Sequence, residues 1–200
     1  MDIRQISVRY HQDHDRILVN INTSAGEEVQ MWLTRRMTLR LWPLINRVVI
    51  DHFAIPADAK TDGFVNLAAM DTQTKTVLAD FKRQEAIQNA DFDTPYRSGA
   101  TTRPLGEQPL LVTEVNLTPR GNAVLEINFK EQLESPASNR GFQMDLPTEL
   151  VFAVIQLMAH ALEQAHWQMG PALPPPSMVV SDMSDEIDLS PNATRPTYLN

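Results

Sequence analysis

Cysteine is absent from this chain of 200 residues, which excludes a disulfide framework and any thiolate metal site, so packing must hold the fold together. Also missing is an apolar run near the roughly 20 residues that a membrane-spanning helix needs. The opening Met1-Asp2-Ile3-Arg4-Gln5 has no basic stretch leading into an apolar one, as a secretory leader would. These absences lead to the expectation of a soluble, cytoplasmic protein with no membrane partner. A phosphate-cradling glycine loop is lacking as well: Gly99 and Gly106 stand without the lysine and spacing of a P-loop, and neither a nucleophile elbow nor a paired-histidine metalloprotease motif occurs. The net charge of −8 argues against nucleic acid as a partner, because that ligand demands a positive surface.

What is present suffices for a globular body. A hydrophobic content of 42% can bury one substantial core or two small ones packed together. Ile6, Val8 and Tyr10 alternate with polar residues, the alternation resumes at Ile17, Val19 and Ile21, and a third series, Val29, Met31 and Leu33, runs straight into a helical pattern. The two-residue period predicts three strands. Thr34 is the expected N-cap of the following helix, which buries Met37, Leu41, Leu44, Ile45 and Val48 and turns Arg36, Arg40, Pro43 and Arg47 to water. Proline cannot donate a backbone hydrogen bond, so a bend is expected at Pro43.

After a connector at 54–63, apolar spacing from Phe64 through Leu67, Met70, Val77, Leu78 and Phe81 predicts a helix over 64–87. Asn89–Gln108, interrupted by Pro95, Gly99, Pro104 and Gly106, reads as a long loop, with Asp91, Phe92, Asp93, Tyr96 and Arg97 forming a polar connection anchored by two aromatics. Strand alternation returns at Thr113, Val115 and Leu117, then at Leu125, Ile127 and Phe129, then at Phe142, Met144 and Leu146. Pro147 suits the first turn of a second apolar helix reaching about Trp167. Slid by a constant offset, Met37 matches Leu150, Leu41 matches Val154, and Leu44 matches Leu157.

The expected architecture is therefore α+β: two pseudo-repeated β-β-β-α units, 1–54 and 109–168, joined by a connector, bridging helix and long loop at 55–108. Residues 169–200, rich in proline and acid, are expected to form a disordered tail.

Three side-chain sets bear on function. Residues 1–54 carry seven arginines against six acids, and Arg36, Arg40 and Arg47 share one helix stripe. Arginine suits bidentate carboxylate recognition, so this stripe is the expected site for an acidic protein segment, and Asp182, Asp185, Glu186 and Asp188 of the tail are the obvious intrachain or interchain ligand. His11, Asp13, His14 and Asp15 form the densest group of metal-ligand types, able to approach one ion from a turn. His160 and Glu163, three apart on a helix, read as a surface pair, while His52 and His166 complement helix ends. The resulting expectation is a non-enzymatic protein-binding or assembly protein with a protein partner or self-association and no cofactor. The alternative is a metal-dependent enzyme working at the first hairpin loop.

Overall fold

The computed structural model describes residues 2–53, 71–92, 94–98, 102–120, 123–133 and 139–167. It is an α+β structure with two sheets and three helices. The expected connector and the first part of the bridging helix, 54–70, lie outside the described residues, as does the tail.

Alternation sets the first sheet. β1 (Ile3–His11), β2 (Arg16–Thr23) and β3 (Glu28–Thr34) form an antiparallel meander. Its register aligns three apolar rows: Ile6–Ile21–Val29, Val8–Val19–Met31 and Tyr10–Ile17–Leu33. Residues two apart share a face, so one side of the sheet is apolar throughout. A two-residue strand, β4 (Leu110–Leu111), adds parallel to β3. The second sheet repeats this logic in β5 (Glu114–Arg120), β6 (Val124–Glu131) and β7 (Arg140–Pro147). Its rows are Val115–Phe129–Phe142, Leu117–Ile127–Met144 and Pro119–Leu125–Leu146.

Helix α1 (Arg35–His52) follows β3 directly, and the Thr34 side chain caps it by accepting the Met37 N–H at 3.2 Å. Of the expected apolar stripe, Leu41 and Ile45 are buried and Met37 and Val48 half-buried, whereas Leu44 is exposed and Val49 is buried instead, because the core lies to the Val49 side of the helix. Pro43 is exposed inside α1, and the Asn46 amide donates to the Trp42 carbonyl one turn back at 2.7 Å. Helix α3 (Thr148–Ala165) follows β7 and is buried more broadly, with Phe152 and Val151 at 1% and 0% exposure. Pro147 ends β7 and occupies the cap position of α3, one residue before the first turn.

The helices cross over between the sheets. Besides touching its own β3, α1 packs on β5 of the second sheet, while α3 packs on β1 of the first as well as on β6 and β7. The inner faces share one core, and a cavity of about 30 Å³ is lined by apolar residues of both sheets and both helices. With no polar partner for a water molecule, such a space stays dry.

Helix α2 (Thr72–Asn89) is capped by Asp71, whose carboxylate accepts the Thr74 N–H at 2.7 Å. The apolar residues that reveal this helix in the sequence are not the ones it buries: Val77 and Phe81 are each 63% exposed, while Ala79 and Ala86 are buried. Small side chains let α2 approach α1 and α3 closely, so the alanine face turns inward. Strand β4 was not visible as a strand in the sequence because two residues show no period. It nevertheless ties the stretch immediately before β5 to the first sheet.

Phe152→Ala is expected to lower unfolding free energy by about 3–5 kcal/mol, whereas Phe81→Ala stays within about 0.5 kcal/mol. Urea unfolding of the two variants tests the assignment of inside and outside, and equal effects would contradict it.

Candidate partner-binding face

Helical spacing places Met37, Leu41, Leu44 and Val48 along one edge of α1, where they meet Val115 and Leu117 of β5 across a groove of about 410 Å³. Leu44 is 57% exposed there, and Arg40 stands in the same wall. The strand side is an edge: β5 pairs with β6 alone among the described strands. An edge strand offers unpaired backbone groups, and a groove beside it can take the side chains of a bound segment.

The arginines expected to form a stripe are all exposed on α1. Arg47 Nε lies 3.6 Å from Asp51, a solvated pair of little energetic weight. Arg36 and Arg40 make no ion pair among the described residues. Helix α1 opens with Arg35 and Arg36 and has no acidic residue in its own first turn, where one would complement the helix dipole. On the opposite wall, Glu114 is held by Lys130 at 2.9 Å, with Asn116 also donating to it. Those hydrogen bonds, Lys130 first, lower its pKa.

A second groove, of about 320 Å³, lies between α3 and β1, with Leu150, Val154 and Leu157 facing Ile3 and Ile6. It has a third wall. Ala90, Asp91, Phe92, Thr94 and Tyr96, leading away from α2, line it along its length. Among the described residues the α1–β5 groove has no such wall.

The four residues that looked like metal ligands are engaged differently. The rings of His11 and His14 pack on Trp32 at 5.2 Å and 5.3 Å, and Asp13 points to water from the short 3-10 turn Gln12–His14. Asp15 has left-handed backbone geometry (φ 46°) and accepts hydrogen bonds from the Trp167 indole at 2.7 Å and the Tyr10 hydroxyl at 2.9 Å. Those two donors, Trp167 first, pull the Asp15 pKa down, with help from the charge of Arg35. The same contact raises the Tyr10 phenol. Among the described residues no group of three or more His, Cys, Asp or Glu is placed to hold a metal ion.

Two buried carboxylates were invisible to sequence reasoning. Glu28 is 2% exposed and accepts hydrogen bonds from the Tyr96 hydroxyl at 2.9 Å, the Ser98 hydroxyl at 3.3 Å and the Arg103 guanidinium at 3.2 Å. Burial, then the bond to Glu28, raises the Tyr96 phenol. Glu131 accepts the Leu111 N–H at 2.9 Å and the Arg140 Nε at 2.6 Å, while Arg140 also donates to the carbonyls of Leu105 and Gln108. Every one of these bonds runs between a sheet and the 94–111 stretch or across the second sheet's edge, so they fasten the long connection. A glutamate at the start of an alternating strand carries no local mark of burial, since the partners that solvate it lie some 70 residues away.

His160 and Glu163 are exposed, 3.9 Å apart, with Gln164 beside the imidazole. His166 is the left-handed C-cap residue of α3. Asp182, Asp185, Glu186 and Asp188 lie outside the described residues. No helix among the described residues is long and apolar enough to cross a membrane. Compared with protein-family models, curated proteins and solved structures, the chain matches none.

The hydrogen bonds to Asp15 generate an ordered prediction. Its folded pKa lies below the ordinary aspartate value, so this carboxylate stabilises the fold above the unfolded-state pKa, and that contribution disappears as pH falls through the lower folded value. Carboxyl-carbon NMR titration is expected to show the Asp15 pKa rising most in Trp167→Phe, less in Tyr10→Phe and least in Arg35→Ala. An ordinary value in the wild-type chain, or the reverse order, would remove the assigned cause.

Proposed function

We propose that this chain is a non-enzymatic protein-binding or assembly protein whose α1 face receives an acidic protein segment. The carrying observation is the coincidence, on one helix and among the described residues, of Arg36 and Arg40 without ion-pair partners and an apolar groove with Leu44 57% exposed beside an edge strand. An exposed apolar strip with polar and charged residues at its rim is a usual form of a peptide-binding surface. Apolar contacts would supply affinity, and the arginines would steer and orient an acidic ligand. The two halves read further as one module used twice: Met37, Leu41 and Leu44 line one groove, and their matched positions Leu150, Val154 and Leu157 line the other.

Affinity capture from a native-source lysate tests this reading when the full chain and its Arg36→Glu, Arg40→Glu, Leu44→Asp variant are run in parallel. A captured partner is expected to be lost by the variant at unchanged thermal midpoint. Capture that is indifferent to these substitutions, or no capture by either protein, would refute the proposal.

A further inference from the structure

We infer that the α1–β5 groove binds the chain's own acidic segment, residues 179–189, so that the protein carries a built-in competitor for its partner. This deepens the proposed function and rests on it. The first argument is position. Trp167, the last described residue, is held by Asp15, the next residue Arg16 pairs across the sheet with Thr34, and Thr34 caps α1. The chain therefore leaves the body beside the arginine-bearing start of α1.

Reach is sufficient. The 12 residues from Trp167 to Val179 extend to at most about 40 Å, whereas the groove residues of α1 from Met37 to Val48 cover only about 16 Å of helix. Chemistry matches as well. Val180, Met183 and Ile187 are spaced three and four apart, the spacing of anchors that enter a groove from one face of a segment. Asp182, Asp185, Glu186 and Asp188 are interleaved with them, opposite in sign to Arg36 and Arg40. The α3–β1 groove is a poorer receptor, because Ala90, Asp91, Phe92, Thr94 and Tyr96 already wall it. A tether of this length also raises the local concentration of the segment to the millimolar range typical of short linkers, roughly, so a weak contact is populated.

Because the chain has no cysteine, Ser184→Cys in the full-length protein accepts a single nitroxide label. The label is expected to bleach the amide signals of α1 around Arg40–Val48 and of β5 around Thr113–Leu117, independently of dilution. Arg36→Glu with Arg40→Glu should restore those signals. Reversing the tail charges (Asp182→Lys, Asp185→Lys, Glu186→Lys, Asp188→Lys) should raise the affinity of an added (Glu-Glu-Leu)4 peptide for the same face by roughly tenfold, as relief of an internal competitor requires.

Absence of bleaching at α1 and β5 overturns the inference. So does bleaching that arises only between a spin-labelled copy and an isotope-labelled copy, which would make the occupant a second molecule. If the tail label leaves the face untouched while the added peptide still shifts it, self-docking fails and the acidic-segment face stands. If the peptide has no effect either, both fall.

Discussion

A three-stranded meander with one wholly apolar face must bury that face against another element, and this chain makes two such meanders. The rows running from Ile6 to Leu33 and from Val115 to Leu146 must be covered on the same side, which each sheet's own following helix does only in part. The solution is exchange. Helix α1 reaches β5 and α3 reaches β1, so each sheet is completed by an element that belongs, in sequence, to the other. With large apolar side chains each contributing about 1.5–3 kcal/mol on full burial, this mutual cover is the term on which cooperative folding of the whole body depends.

Polar chemistry then fixes what hydrophobic burial leaves unspecified. The side of the first sheet that faces away from the core carries Asn20, Asn22, Glu28 and Gln30, and Tyr96, Arg97, Ser98 and Arg103 bond to it. Tyr96 bridges Asn22 and Glu28, while the Arg97 carbonyl accepts from Asn22. A buried carboxylate is tolerable only when its lone pairs are met, and Glu28 and Glu131 each find several donors. Their networks hold the connection between the halves in place, and that placement gives one groove a third wall.

The strands and the two long flanking helices were legible because each buries one face, and burial of one face writes a period into the sequence. The same reasoning located Thr34 as a cap, since capping is a local event within three residues. It failed where the determining contact is distant. The inward face of α2 is made of Ala79 and Ala86, which carry little hydrophobic signal beside Val77 and Phe81. Leu110–Leu111 becomes a strand only because β3 offers an edge. The arginine stripe was legible as exposed charge, but the groove beside it was not: it exists because β5, about 70 residues further along the chain, lies against α1. His11 and His14 looked like ligands because their spacing permits it, and the packing of both rings on Trp32 has no sequence signature.

The hydrogen bond between Asp15 and Trp167 joins residues 152 positions apart, and it stands for a wider property of this topology. The first meander and α1 are complete as secondary structure once residue 53 has been made, yet the helix that covers β1 begins only at Thr148. At a synthesis rate of roughly 5–20 residues per second, the N-terminal sheet waits on the order of ten seconds with part of its apolar face uncovered. During that interval the emerging chain is a client for whatever shields hydrophobic surface near the ribosome, and α3, the last of the described helices to be made, closes the described core.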